Sequence, residues 1–154
     1  MKRPLIMING GLAYDRQFQG DSFTINKTYT GALVAAGGTP FTALDWDHLD
    51  DYAAKADGLL LTGSTGYAPD PKLNKGDEHQ RRDVMDQKLI DAFVRADKPI
   101  MGICLGLQQL NVYFGGDLYP YFKLQDGIEH MMSKHKVTTE DGSIINRLIG
   151  KEFY

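Results

Sequence analysis

The chain has 154 residues, of which 42% are hydrophobic and 24% charged, as is usual for one globular domain. A net charge of −3 argues against a nucleic-acid or anionic-membrane surface, and the lone cysteine cannot form an internal disulfide. No apolar run is long enough to span a membrane, and the run after the basic start is too short for a signal peptide. We therefore expect one cytoplasmic domain over residues 1–154, with no nucleic-acid or membrane partner.

Residues 1–62 predict alternating strands and helices. Short apolar runs predict strands at residues 4–9, 40–44 and 59–62. The polar, turn-rich stretch 12–22 is interpreted as a loop that ends at a helix cap, Asp21 or Ser22. Apolar stripes predict two helices, one from Phe23, Tyr29, Leu33 and Val34, the other from Leu49, Tyr52, Ala53 and Ala56. This alternation predicts an α/β fold, a three-layer sandwich with a mainly parallel sheet.

After the third strand the chain opens a long loop, residues 65–78, before a longer helix. Long loops in compact domains are uncommon and are often functional. The helix carries apolar residues at helical spacing as far as Val94. Its charged residues include Arg81, Arg82, Asp83 and Asp86. We interpret these charges as a solvated face with local ion pairs and assign them no catalytic role.

The segment 98–111 carries the only cysteine of the chain, and the functional prediction starts from it. Residues 99–103 predict a buried strand that lies centrally in the sheet, with a neighbour on each side. A helical stripe follows, made of Leu105, Leu107, Leu110, Val112 and Phe114. Cys104 therefore lies on a strand-to-helix turn between Gly102 and Gly106, as in a nucleophile elbow with cysteine in place of serine. The first N–H groups of the helix favour the thiolate, the attacking species in acyl transfer.

A buried structural cysteine is the alternative that the Gly-x-Cys-x-Gly pattern leaves open by itself.

Towards the end of the chain, residues 135–139 alternate like a strand, and Gly142-Ser143 caps a short helix at 144–149. His130 and His135 are five residues apart, which fits no recognised zinc spacing. We interpret them as ordinary surface or strand-end histidines, and we expect no metal and no cofactor.

One stretch of this sequence resembles the nucleophile segment of class I glutamine amidotransferases, and most closely their γ-glutamyl hydrolase branch (Peptidase C26). The matching residues are Gly102-Ile103-Cys104-Leu105-Gly106-Leu107-Gln108, Leu110-Asn111 and Gly115-Gly116-Asp117-Leu118-Tyr119. The resemblance implies a flavodoxin-like sandwich in which Cys104 is the nucleophile for hydrolysis of a small γ-glutamyl amide. It also implies that backbone N–H groups of Leu105 and of Gly63 or Ser64 form the oxyanion hole, and that Gln108 holds the α-amino-acid end of the substrate. Without the resemblance, Gly63-Ser64 would also fit an ordinary strand-to-helix turn.

The same resemblance implies a histidine base and an orienting glutamate on later strands. No histidine of this chain matches the family's catalytic histidine. We therefore expect a domain that lacks its C-terminal strands and is inactive alone. Two other functions stay open: a non-catalytic binding module that kept the elbow, and a DJ-1-like stress-response cysteine protein. The substrate's identity and a homo-oligomeric state also stay open.

Overall fold

A computed structural model describes residues 2–64, 77–118, 134 and 136–154. The chain divides into two compact units, Met1–Leu118 and Tyr119–Tyr154. Most of the loop predicted at 65–78, and both His130 and His135, lie outside the described residues. Among the helices of the described residues, none has the length and apolar character needed to cross a membrane.

The larger unit contains a four-stranded parallel sheet. Its elements are β1 Leu5–Ile8, β2 Gly11–Asp15, β3 Gly20–Thr24, α1 Lys27–Ala35, β4 Thr39–Phe41, α2 Leu49–Lys55, β5 Gly58–Leu61, α3 Asp77–Arg95, β6 Ile100–Gly102 and α4 Leu105–Tyr113. The strand order is β4-β1-β5-β6, and each neighbouring pair is parallel. The predicted α/β class with a mainly parallel sheet is therefore confirmed.

The core lies where one face of the sheet meets α2 and α3. Met7, Leu59 and Leu61 alternate along their strands and so point to the same face. The helix side chains packed into this cluster are Leu49, Ala53, Ala56, Met85, Leu89, Ile90, Ala92 and Phe93. The carboxyl ends of β1, β5 and β6 consequently reach one edge of the sheet, where open α/β sheets place their ligands.

The stretch 12–22 is a β-hairpin, so the prediction of a loop there was wrong. Strands β2 and β3 pair antiparallel, from Gly11 with Thr24 to Asp15 with Gly20. The Asp15 carboxylate accepts hydrogen bonds from the Gln17 and Phe18 N–H groups, which closes the turn between the strands. Polar residues at the hairpin turn concealed the strand pattern from the sequence.

The start of α1 also differs from the prediction. Asn26 caps this helix by accepting a hydrogen bond from the Thr28 N–H, so neither Asp21 nor Ser22 is the cap. Phe23 lies on β3 and packs edge-on against Trp46, with ring centroids 5.9 Å apart. The predicted helical stripe extends too far because Phe23 is partly buried by packing of β3 against the core and does not belong to α1.

The buried face of helix α4 differs from the prediction. Leu105, Gly106 and Gln109 are the buried residues of α4, whereas Leu107 and Phe114 are 62% and 69% exposed. The apolar stripe that was predicted therefore spans two faces of the helix, and a buried glutamine belongs to the inner one. Strand β6 pairs with β5 alone among the described residues, and its predicted neighbour on the other side stays a prediction. An apolar run predicts a strand but not its position in the sheet, which the crossovers decide.

Two glycines allow α4 to lie against the sheet. A Cβ on Gly106 would stand within 2.4 Å of the Leu61 carbonyl oxygen, and a Cβ on Gly102 within 2.4 Å of the Gly106 carbonyl carbon. Only glycine permits such close approach of one backbone to another. The Gly-x-Cys-x-Gly pattern is therefore a packing requirement at the junction of β5, β6 and α4.

A buried polar network joins β1, β5 and α3, so the interpretation of the α3 charges as a solvated face was wrong for Arg82 and Asp86. Both are almost fully buried, and Arg82 Nε donates to Asp86 Oδ2 over 2.9 Å. Asp86 also accepts from the Asn9 amide, and Asn9 Oδ1 accepts from the Thr62 N–H. Burial raises the pKa of Asp86 to about 6, against the opposing effects of the Arg82 guanidinium and the hydrogen bonds from Arg82 and Asn9. The spacing of Arg82 and Asp86 revealed an ion pair, but not that tertiary packing would bury it.

The described residues of the smaller unit, 134 and 136–154, form two short strands and one helix. Strands β7 Val137–Thr138 and β8 Glu152–Phe153 pair antiparallel, and α5 Ile144–Ile149 lies between them in sequence. Ser143 caps α5 by accepting a hydrogen bond from the Asn146 N–H over 3.1 Å. The predicted cap and helix are therefore confirmed.

Gly106→Ala should destabilise the fold strongly, because the new Cβ meets the backbone of Leu61 and not a movable side chain. We expect the free energy of unfolding in urea to fall by about 3 kcal/mol or more, beyond the usual cost of overpacking. Gly31→Ala is the matched control, since Gly31 is also helical but a Cβ there meets nothing within 4 Å. The control should be neutral or more stable by up to about 1 kcal/mol. Equal effects of the two changes would contradict the close approach.

The raised pKa of Asp86 should appear in the pH dependence of stability. Because its folded pKa of about 6 lies above its ordinary value of 3.8, the folded state binds the proton more tightly. The stabilising contribution is therefore complete below about pH 4 and is lost as the pH rises through about 6. Relative to Asp86→Asn, wild type should lose about 2 kcal/mol of unfolding free energy between pH 4.5 and pH 7.

Asp91→Asn provides a control on the same helix. The hydrogen bond from the Arg95 guanidinium lowers the pKa of the exposed Asp91, so this carboxylate stabilises the fold above its ordinary pKa of 3.8 and loses that effect only in stronger acid. Between pH 4.5 and pH 7, Asp91→Asn should therefore keep the wild-type pH dependence. Urea unfolding of the three proteins at both pH values is the measurement. An identical pH dependence in wild type and Asp86→Asn would contradict the assignment.

Candidate active site

Cys104 occupies the turn between β6 and α4, as the sequence predicted. Its backbone has φ 53° and ψ −108°, an uncommon conformation for a residue other than glycine. Strained conformations of this kind cluster at functional sites, where the surrounding structure holds them in place. The Cys104 side chain is exposed, so it is not the buried structural cysteine that the pattern alone left open.

Gly63 lies beside Cys104 at the end of the neighbouring strand. A Cβ on Gly63 would stand 3.2 Å from the Cys104 Cβ and 2.9 Å from the Tyr29 hydroxyl oxygen. The Gly63 N–H donates a hydrogen bond to that hydroxyl over 3.1 Å. A backbone donor and a thiol thus meet where the carboxyl ends of β5 and β6 adjoin.

An open pocket of about 440 Å³ surrounds these two residues. The residues that line it are Gly11, Thr24, Asn26, Tyr29, Thr62, Gly63, Ser64 and Cys104. Two walls of the pocket were missed by the sequence analysis: the hairpin, through Gly11 and Thr24, and the start of α1, through Asn26 and Tyr29. The turn chemistry of Asp15 was the one signal that could have revealed the hairpin.

The other predicted site residues fall into three positions. Ser64 lines the pocket. The Leu105 side chain is buried, and its N–H group is the first of α4. The first N–H groups of a helix have no partner within that helix. Gln108 is half-buried, is absent from the pocket lining, and donates its backbone N–H to the Cys104 carbonyl over 3.1 Å. The structure therefore brings Gly63, Ser64 and Cys104 together and leaves the role of Gln108 as a prediction.

Gln109, and not its neighbour Gln108, joins α4 to α3. Gln109 is 1% exposed, donates to Asp83 and accepts from Gln87 over 2.7 Å. These bonds satisfy a buried amide and hold the start of α4, and with it the elbow, against α3. No local pattern distinguishes the two adjacent glutamines, because their different roles follow from contacts with α3.

The described part of the pocket contains a thiol and N–H donors but neither a carboxylate nor an imidazole. His48, just before α2, lies near Asp45 at 3.8 Å and does not line the pocket. Among the described residues, no three His, Cys, Asp or Glu side chains are grouped so that they could hold a metal. The arrangement suits nucleophilic attack by sulfur on a carbonyl carbon, with the developing oxyanion held by backbone N–H groups.

Several known proteins are similar to this chain. The glutamine amidotransferase-like protein YvdE homolog of Lactococcus lactis subsp. cremoris is 37% identical over 93 residues, which cover 56% of this chain and 50% of the relative. YvdE of L. lactis subsp. lactis is 32% identical over 115 residues, 66% of this chain and 49% of that protein. Gamma-glutamyl-gamma-aminobutyrate hydrolase PuuD of Escherichia coli K12 is 29% identical over 146 residues, 82% of this chain and 58% of that protein.

The chain thus spans roughly half the length of the curated relatives that it matches. The sequence profile of the Peptidase C26 family matches residues 4–154, nearly the whole chain. The profile match agrees with the mainly parallel α/β sheet. The chain belongs to the Peptidase C26 family.

Proposed function

We propose that this protein cleaves γ-glutamyl amide bonds through a thioester on Cys104. The relative from E. coli K12, 29% identical, is named for hydrolysis of γ-glutamyl-γ-aminobutyrate, and this supports the substrate class. The observation that carries the proposal is the pairing of Cys104 with the N–H of Gly63 in one open pocket. A γ-glutamyl group is small enough for a pocket of about 440 Å³.

The reaction proceeds in two steps on this site. The Cys104 sulfur attacks the γ-carbonyl carbon, so that a C–S bond forms and the carbonyl electrons move to oxygen. Collapse of this tetrahedral intermediate breaks the C–N bond, and the amine leaves with the proton given up by the thiol. Water then breaks the C–S bond of the thioester, which releases the glutamyl carboxylate and restores the thiol.

The N–H groups of Gly63 and Leu105 are proposed to hold the oxyanion, with Ser64 beside them. The Gly63 N–H already donates to an oxygen, the Tyr29 hydroxyl, at 3.1 Å. A substrate oxygen that takes this place receives a donor already fixed in direction, which is the condition for strong oxyanion stabilisation. Tyr29 would then give up its bond to Gly63 and hydrogen-bond the substrate.

Release of the thioester requires a group that activates water. The described pocket residues supply no carboxylate or imidazole for this step. We therefore propose that residues 1–154 alone form the acyl-enzyme but do not turn over. Gln108 keeps its proposed role at the α-amino-acid end of the substrate, which the pocket lining alone does not establish.

Cys104→Ser tests the proposal. Mixed with γ-glutamyl p-nitroanilide, the wild-type chain should release p-nitroaniline in a burst of at most one equivalent and gain the mass of one γ-glutamyl group. The serine variant should give no burst while keeping the wild-type melting temperature, because Cys104 is exposed and makes no side-chain hydrogen bond at the helix start.

Two results would contradict the proposal. Binding of the anilide without release of p-nitroaniline would indicate a non-catalytic binding module. Sustained turnover by residues 1–154 would contradict the proposed stall at the thioester.

Gly63→Ala tests the oxyanion donor. The added Cβ would crowd both the Tyr29 hydroxyl and the Cys104 Cβ, so the donor must shift. We expect the acylation rate to fall by about 10²-fold, the usual effect of losing one oxyanion donor. Gly20→Ala, where a Cβ meets only the Phe18 carbonyl at 3.8 Å, is the matched control and should acylate at the wild-type rate. An unchanged rate in Gly63→Ala would remove Gly63 from the site.

A further inference from the structure

The peptide group between Thr62 and Gly63 is held from both of its sides. On one side the Thr62 carbonyl accepts a hydrogen bond from Arg82 Nη2 over 3.3 Å. On the other side the Gly63 N–H donates to the Tyr29 hydroxyl. The peptide bond is planar and trans, so its C=O and N–H point in opposite directions and rotate together. The bond from Arg82 therefore fixes the direction of the Gly63 N–H.

Arg82 is itself held by a closed ring of buried hydrogen bonds. Its Nε donates to Asp86, Asp86 accepts from the Asn9 amide, and Asn9 Oδ1 accepts from the Thr62 N–H over 2.7 Å. Arg82 Nη2 also approaches Thr62 Oγ1 at 3.3 Å, and that hydroxyl donates to the Asn9 carbonyl. Arg82 is 2% and Asp86 0% exposed, so neither charge is weakened by solvent.

We propose that Arg82 and Asp86 are positioning residues that aim the Gly63 N–H into the Cys104 pocket and strengthen it as a donor. The inference rests on the proposed function, because it assigns these residues to the oxyanion donor of that reaction. Asp86 orients the guanidinium, and the guanidinium holds the Thr62 carbonyl. A cation bonded to a carbonyl also polarises its peptide group, which makes the N–H at the other end a better donor.

Packing alone does not account for this arrangement. A buried ion pair is weak evidence for stability, since apolar residues of similar volume are often as stable or more so. The same helix carries the pair Asp91 and Arg95 at the same spacing, with a 2.9 Å contact, but both residues are exposed and lie away from β5. The buried pair differs from the exposed one in what it touches: the backbone that ends β5 beside Cys104.

The test replaces both charges at once, Arg82→Met with Asp86→Leu, so that no unpaired charge is left buried. This double variant should fold, as judged by its melting temperature, and its Gly63 amide should exchange hydrogen at least about tenfold faster. Acylation by γ-glutamyl p-nitroanilide should slow at least about tenfold, because a small misplacement of an oxyanion donor is costly. Alkylation of Cys104 by iodoacetamide forms no oxyanion and should stay within about twofold of wild type.

The matched control is Asp91→Asn with Arg95→Gln, which removes the exposed pair from the same helix and should change none of the three rates. If the buried double variant does not fold, Arg82→Gln replaces it in the test, since the glutamine amide can still donate to Asp86. We expect the same increase in Gly63 hydrogen exchange and the same slowing of acylation. Unchanged Gly63 exchange and unchanged acylation in the folded variant would overturn the proposal. Equal slowing of acylation and alkylation would also overturn it, because that pattern reports general loosening.

The proposed function can fail separately from this inference. Wild-type chain that is alkylated by iodoacetamide but never acylated would reject the hydrolytic function. The exchange rate of the Gly63 amide would still decide whether Arg82 and Asp86 set its direction.

Discussion

The close approach of α4 to the sheet is the constraint on which the rest of the site depends. With no side chain at Gly106, the helix lies against the backbone of Leu61, and with none at Gly102 the strand can pass under the same turn. That contact places Cys104, the residue just before the helix, beside Gly63 after the next strand, where a Cβ on Gly63 would stand 3.2 Å from the Cys104 Cβ. The strained backbone of Cys104 is held in this way by the packing around it.

The second constraint is electrostatic and acts on the neighbouring strand. The end of β5 carries polar backbone groups at the edge of the core, and buried polar groups must be hydrogen-bonded. Asn9 from β1 and Arg82 from α3 satisfy those of Thr62. Asp86 is buried beside the Arg82 guanidinium, and this desolvation raises the Asp86 pKa to about 6. A buried carboxylate is therefore needed to hold the Arg82 cation at this position. The backbone that ends β5 is thus hydrogen-bonded on the protein side of the pocket, which favours a preorganised donor.

The hairpin adds a wall that the central sheet cannot provide. Strands β2 and β3 follow β1 at the carboxyl edge, and the Arg81–Asp21 ion pair, at 2.6 Å, links the hairpin to α3. Gly11 and Thr24 of the hairpin line the pocket, together with Asn26 and Tyr29. The elbow alone does not set which acyl group binds, so the residues of this wall are candidates for substrate selection.

The sequence by itself determined the α/β class, the Cys104 elbow and the cap of α5, because strand periodicity, glycine spacing and capping chemistry act between near neighbours. The placement of β6, the hairpin wall and the buried state of Arg82 depend on contacts between distant segments, which local patterns do not encode. The tertiary structure alone decided that a tyrosine from α1 and an arginine from α3 would hold the two sides of one peptide bond. These hydrogen-bond partners are 34 and 20 residues apart in the sequence, so no local pattern pairs them.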